Sequence, residues 1–514
     1  MQGNQAIYNK NLAPEGGLRM YKRHTGQVSM LESPEMFGSL PLDPNNEWVK
    51  LSELVPWREF DLKYADNFRS KKGQRAIDSR MALGALLIKP AYKALSDEDI
   101  TKEIAMNPYL QYFLGLHEFR YECPFDSSMM TRFRQRITPE MLAWVNDQIV
   151  GRNAKQDKNE NDRPNGDGGH DDEKQDDETK EEKNEGTIIL DATCAPQNIR
   201  FPTDASLLNE AREKAEAIID ELHDMGLSKG RKPRTYREKA RRKYNSFSKS
   251  RKKTVKTIRA AIRQQLGYLS RNLKIIADYE RRHPGCLQKL SSRQQTMLQV
   301  IRTLYSQQEY MYRTRTHKVE DRIVSLHQSW VRPIVRGKQT ADVEFGAKVE
   351  MSVVDGFLRI EDLRWDAYNE STTLQQSVED YRKAYGHYPA RVLADTIFRT
   401  RDNLQYCKNH GIHLNGPKLG KPFADPVEAR KHKKLEWLES GERGEIERDF
   451  GVGKRRYSLD CIVTKLKETS EVMIHSIVIY MNLRKKLRLL LHSFFSWLRI
   501  VIQEWTEKEE FAFA

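Results

Sequence analysis

The sequence predicts an α/β domain that is interrupted by a long helical insertion and preceded by an all-α region. Three observations predict it. Apolar residues at helical spacing dominate the chain up to about residue 150. Buried-strand runs begin only after residue 186. Between the first of those runs and the next lies a helical stretch, Leu207 to about Ser329, whose middle is strongly basic. The expected division is 1–150 helical N-terminal domain, 151–186 linker, 187–470 α/β domain with the insertion at about 207–329, and 471–514 C-terminal helix.

A chain of 514 residues is too long for one ordinary core, so two or three domains are expected. Lys and Arg number 87 against 73 Asp and Glu, a formal net charge of +14, and such an excess favours a polyanionic partner, DNA or RNA. The five cysteines are scattered without CxxC spacing, which argues against a disulfide framework or zinc site and for a reducing cytoplasm. Met1 is not followed by a charged-then-apolar leader. The apolar run Leu487–Ile502 is broken by Arg488, His492 and Arg499, so it reads as a buried or partner-facing helix and not as a membrane span.

In the N-terminal region, Met81, Leu83, Leu86 and Leu87 mark a helix over Ala76–Leu95, after a basic lead-in of Arg69, Lys71, Lys72 and Arg75. Ser96 and Asp99 form a capping-box pattern that opens the next helix. A further helix over Asp126–Ile137 interleaves Arg132, Arg134 and Arg136 with Phe133, which suits either a helix-turn-helix DNA-binding bundle or a plain bundle with a solvated basic face. Gly151–Gly186 contains no Ile, Leu, Val or aromatic residue and is rich in acids, so it reads as a disordered linker; His170 beside Asp171 and Asp172 belongs to that solvated charge run.

Strand patterns follow. Thr187–Thr193 is a buried run that contains Asp191, and Phe345–Val354 and Phe357–Leu363 flank Asp355-Gly356, the signal of a type I′ hairpin. A helix over Ser371–Tyr385 is ended by Gly386, Arg391–Ala394 is a strand leading into Asp395, and a helix over Thr400–His410, a strand over Ile412–Leu414 and a helix around Gly444–Phe450 complete the order. Three antiparallel strands followed by parallel ones covered by helices is the order of a ribonuclease H-like α/β domain. Within the insertion, Lys229–Arg259 holds fifteen Lys or Arg and one acid, Glu238, with Tyr236, Tyr244 and Phe247 among them. So many like charges repel without a partner, which favours a phosphate-tracking surface that includes Arg241, Arg242 and Lys243 over a solvated helix hairpin.

The acids carry the chemistry. Displacement at a phosphodiester needs cations to neutralise the attacking and leaving oxygens, and two Mg²⁺ about 4 Å apart held by carboxylates supply this. Asp191 is expected at the end of the first strand and Asp395 just after the fourth, two strands that a ribonuclease H-like sheet makes neighbours, and Glu447 lies on a helix able to pack across that edge. Taken singly, each acid is an ordinary turn, cap or surface residue.

At these residues the chain resembles the DDE transposases of bacterial insertion sequences, specifically the insertion sequence 5 group, over most of its length. The resemblance rests on YFLGL at Tyr112–Leu116, FDSSMMTRFRQR at Phe125–Arg136, DATCAPQNIRFPTDASLLNEAR from Asp191, RPIVRGK from Arg332, EFGAK from Glu344, and LADTIFRTRDNLQYCKNHGIHLNGPKLGKP from Leu393. The family's third block reads Tyr-x2-Arg-x3-Glu-x6-Lys; Arg443, Glu447 and Lys454 fall at those spacings, whereas Ser440 stands at the Tyr position.

The resemblance implies a metal triad of Asp191, Asp395 and Glu447, two Mg²⁺ with Mn²⁺ able to substitute, and Arg443 and Lys454 on the terminal phosphates of the element. Asp204 lies in the first block but is not a ligand. The resemblance implies double-stranded DNA as partner, both the terminal inverted repeats of the element and the target, a dimer or higher synaptic assembly, and a cytoplasmic, nucleoid-associated bacterial protein. The alternative is a catalytically inactive, transposase-derived DNA-binding protein; a nuclease without strand transfer is a third reading. Trp365, His317, Asp321 and His327 read as packing or surface residues.

Overall fold

The structure, a computed structural model, describes residues 21, 33–68, 76–93, 95–152, 183–226, 231–335, 343–366, 368–418, 420 and 425–512, without the side chains of 494, 495 and 498–512. The central part of the acidic linker, 153–182, and the basic lead-in at 69–75 lie outside the described residues. The chain divides into two compact units, Met1–Ile149 with Leu483–Ala514, and Val150–Asn482.

The first unit is helical among the described residues: α1 Glu47–Glu53, α2 Trp57–Ala65, α3 Ser79–Ile88, α4 Asp97–Met106, α5 Pro108–Phe113, α6 Met129–Arg136 and α7 Pro139–Val150. The helix expected over 76–95 is shorter. Asp78 caps its start by accepting from the Arg80 amide at 2.8 Å, and the chain tightens into a 3-10 turn at Lys89–Ala91, where Pro90 has no amide to continue the ladder. The capping box opens α4 as expected, with Ser96 Oγ accepting from the Asp99 amide at 3.1 Å and the Asp99 carboxylate accepting in return. Of the arginines on α6, Arg134 is buried and donates twice to Asp97, at 2.6 and 2.7 Å. That guanidinium ties α6 to α4 and is not available to a duplex.

The second unit is built on a mixed sheet of β1 Thr187–Pro196, β2 Arg332–Val335, β3 Val343–Val354, β4 Phe357–Arg364, β5 Arg391–Ala394 and β6 His413–Leu414. Neighbours run β2-β3-β1-β5-β6, with β4 on β3. The β1–β3, β2–β3 and β3–β4 pairs are antiparallel, and the β1–β5 and β5–β6 pairs are parallel. This is the expected order plus one short strand, β2, whose four residues, Pro333 among them, fit an edge better than an interior. Asp355 (φ 51°) and Gly356 (φ 82°) both turn left-handed, as a type I′ hairpin requires.

On one face Ile188, Leu190, Val392 and Ala394 pack with α12 Leu374–Tyr385 and α13 Arg401–Asn409. On the other, Ile189, Val349, Met351 and Val353 pack with Ile446 and Phe450 of α14 Pro426–Arg456 and with the start of α15 Lys467–Ala512. The sequence suggested a helix only around 444–450, whereas α14 runs over Pro426–Arg456. Glycines at 441, 444, 451 and 453 disfavour helix, but the anchored Ile446 and Phe450 override that propensity. A Cβ at Gly453 would press on Leu459 and Met481 at 3.1 Å, so those side chains would have to give way.

The insertion comprises α8 Asp204–Asp224, α9 Arg237–Lys249, α10 Val255–Arg282 and α11 Ser292–Thr314, with its own core of residues such as Leu208, Ile219, Leu269 and Ile301. It starts earlier and stops sooner than the expected 207–329, ending where Arg315 turns left-handed (φ 56°). The five cysteines are free, and among the described residues no helix is long and apolar enough to cross a membrane.

Candidate catalytic site and DNA-contacting residues

The parallel pairing of β1 with β5 sets Leu190 opposite Ala394, so the next residues, Asp191 and Asp395, fall side by side. Asp395 lies just past β5, whereas Asp191 lies within β1 and not at its end, because pairing with β3 carries the strand on to Pro196. Asp191 sits in the sheet, with its side chain 16% exposed. Burial pushes its carboxyl up to about 6; the Ala192 amide (2.8 Å) and Arg443 pull it down, whereas Glu370 and Asp395 push it further up. Asp395 ends its strand and caps the following 3-10 turn Thr396–Phe398, accepting from the Thr396 amide at 2.6 Å.

Helix α14 brings the remaining charges. Arg443 lies 3.8 Å from Asp191 and 3.1 Å from Glu447, so one guanidinium bridges a strand acid and a helix acid. Glu447 is more than half exposed. Lys454, two turns on, lies 4.0 Å from Glu344, and Ser440 is exposed before Arg443. Among the described residues, however, no group of three or more His, Cys, Asp and Glu is gathered as a metal site. Arg443 serves as the counter-charge of Asp191 and Glu447.

The sequence did not single out Glu370. It opens the 3-10 turn Glu370–Thr372 after β4, is held by Lys348 at 2.8 Å and acts electrostatically on Asp191. Behind it Glu350 is fully buried on β3, where Thr373 donates to Oε2 while Oε1 has no partner, and burial raises its carboxyl to about 7. Nothing in the residue pattern separates Glu370 from nearby Glu361, Asp362 and Asp366; only the folded chain does so.

The other candidates fall in different places. Arg241, Arg242 and Lys243 are exposed on α9, apart from the sheet acids in sequence and element. Asp204 at the start of α8 accepts from Gln308 (2.9 Å) and Arg322 (2.8 Å), which makes it a clamp of the insertion. Trp365 is a core residue, 5% exposed and donating to Glu471 at 2.8 Å. His327 lies 3.4 Å from Glu210 on the surface, and the His317 carbonyl accepts from Arg322.

Adjacent strands of the sheet thus present paired acids, and a helix carrying Arg443 and Glu447 crosses them. Residues 392–484 match the transposase DDE domain, a segment that includes Asp395 and Glu447 but begins after Asp191, and residues 39–136 match a second transposase domain. Both matches are to transposase domains, and together they support a DDE-type transposase. The chain is also 35% identical over 101 residues to the "uncharacterized protein ORF8 in nfe locus" of Rhizobium meliloti, a match that covers 20% of this chain and 48% of that protein, so the chain spans about half the length of this curated relative. No solved structure matches.

Proposed function

We propose that the chain is a transposase of the insertion sequence 5 group, which cuts the ends of its element and joins them to target DNA. The observation that carries this is the register of β1 and β5, which sets Asp191 beside Asp395, with Arg443 linking Asp191 to Glu447. The strand order and directions support a ribonuclease H-like fold for the second unit.

The donor set suits hard divalent cations: Asp191 and Asp395 come side by side from paired strands, Arg443 links Asp191 to Glu447, and the charge on buried Asp191 is costly without a counter-ion. Asp191, Asp395 and Glu447 are the residues that would hold two Mg²⁺, with Mn²⁺ as substitute. When bound, such ions neutralise charge on the attacking and leaving oxygens of a phosphodiester. The chain itself supplies position. Arg443 binds phosphate oxygens in pairs and Lys454 acts as a point charge, both on the strand end to be cut. Arg241, Arg242 and Lys243 hold duplex phosphates without reading sequence. Hydrolysis frees a 3′-hydroxyl, and that hydroxyl attacks a target phosphodiester, whose own 3′-oxygen leaves as a new 3′-hydroxyl, so no covalent protein–DNA intermediate forms. Two ends handled together require a dimer or larger assembly, and the setting is the bacterial cytoplasm and its nucleoid.

The test is a pre-cut end substrate incubated with Mg²⁺ and target plasmid. Joined product is expected from the wild type and none from Asp191→Ala, Asp395→Ala or Glu447→Ala. Binding without any cutting by the wild type would establish the transposase-derived DNA-binding protein instead, and cutting without joining would establish a nuclease.

A further inference from the structure

Helix α14 has a second face that neither the sheet nor the acids use. Arg430, Lys434, Trp437, Gly441, Gly444 and Arg448 recur at intervals of four, three, four, three and four, which aligns them along one side of the helix. Glu439, Ile446 and Phe450, the buried residues that seat the helix, lie on the opposite side. Lys433 flanks the series on one side and Glu445 on the other, no acid falls within it, and none of Arg430, Lys433, Lys434 and Arg448 is ion-paired with a described residue. Trp437 is 73% exposed. A Cβ at Gly441 would meet nothing within 4 Å, and one at Gly444 only the tip of Arg448, at 3.4 Å. Packing therefore does not require glycine at either position, although each weakens the helix.

We propose that this face tracks a DNA strand leading away from the cut end, with Trp437 stacked on an unpaired base and the bare backbone at Gly441 and Gly444 letting the strand approach closely. The inference rests on the transposase reading above. Charge selects the partner: a row of cations with one aromatic and no acid fits phosphates and a base face, whereas a protein partner would have to bury those cations unpaired. The exposed aliphatic residues Leu435 and Leu438 fall outside the row, so the row itself has no apolar patch for a protein. Ten residues separate Trp437 from Glu447, about 15 Å along the helix, or roughly four base steps of one strand. The unpaired base is therefore expected about four nucleotides from the phosphodiester that is cut.

Two probes of about thirty base pairs test it, one fully paired and one forked with unpaired bases at the junction. Trp437→Ala is expected to weaken the forked probe about tenfold or more and the paired probe less than about twofold, with Trp437→Phe restoring most of the loss. Changing Arg430, Lys433 and Lys434 together to Gln is expected to weaken both probes alike and to lower the salt slope by about 2.7. All these positions face solvent, so circular dichroism of the variants should match the wild type. If the wild type binds both probes and Trp437→Ala binds them equally well, or loses both equally, the inference falls while the transposase reading stands. If the wild type binds neither, both fall. A change in particle mass by light scattering with unchanged DNA affinity would make the face a protein interface and overturn the proposal.

Discussion

The sheet edge at Asp191 and the helix α9 both concentrate charge, and they treat it in opposite ways. At the edge the charges neutralise one another: Arg443 serves Asp191 and Glu447, and Lys348 holds Glu370. On α9, Arg237 is paired with Asp220, but Arg241, Arg242 and Lys243 face solvent with no ion pair to a described residue, and Ala240 is its one buried residue. Paired, partly buried charge fixes geometry, since each group has one place to be. Unpaired surface charge fixes nothing within the fold, and its use must lie outside the chain.

That contrast can be broken at several points. The largest effect is expected at the edge, where alanine at Asp191, Asp395 or Glu447 should abolish cutting yet leave duplex affinity unchanged in the same preparation. A variant that still joined ends would remove its residue from the metal set. Ile446→Ala should destabilise the protein by about 2 to 5 kcal/mol in a denaturant melt, because a fully buried side chain of α14 is lost beside Glu447.

Next comes Glu350, whose carboxyl is raised to about 7 by burial, against 4.5 in the unfolded chain. A raised acid favours the folded state below its unfolded value and loses that advantage as pH rises through the folded one. Glu350→Gln should therefore change stability little near pH 4 and raise it by on the order of 3 kcal/mol at pH 8, and equal effects at both pH values would refute the burial argument. The smallest effect on the fold is expected on α9. Gln at Arg241, Arg242 and Lys243 should move stability by less than about 0.5 kcal/mol while lowering the salt slope of DNA binding by about 2.7. Parallel salt plots for variant and wild type would mean that this helix is only a solvated surface.

The strands, the I′ hairpin and the Ser96 capping box were legible because each is written in adjacent residues: alternation, Asp-Gly, Ser-x-x-Asp. Asp191 and Asp395 were legible because one lies in and the other directly after a readable strand, although β1 runs on past Asp191, where the sequence put its end, to Pro196. Three features were not. The length of α14 was hidden by glycines whose cost is offset by contacts remote in sequence, such as Gly453 against Met481. Arg134 looked like a surface cation because its partner, Asp97, is 37 residues away. Glu370 carried no local sign at all, since its closeness to Asp191 arises only when β4 folds back on β3, the partner of β1, and the following turn closes over the sheet.

The insertion has a consequence for how the chain is made. Strand β1 ends at Pro196 and its partner β3 begins at Val343, a gap of 343 − 196 = 147 residues. At synthesis rates of about 5 to 20 residues per second, β1 leaves the ribosome roughly 7 to 30 s before it can pair. During that interval the helices α8 to α11 can close around their own core, because their contacts are local. The newborn strand, meanwhile, is an unpaired apolar edge of the kind that invites aggregation. Chains stalled at about residue 335 should thus already resist protease within helices α8 to α11 while 187–196 is cut, and the order of maturation would run from the insertion to the sheet that holds it.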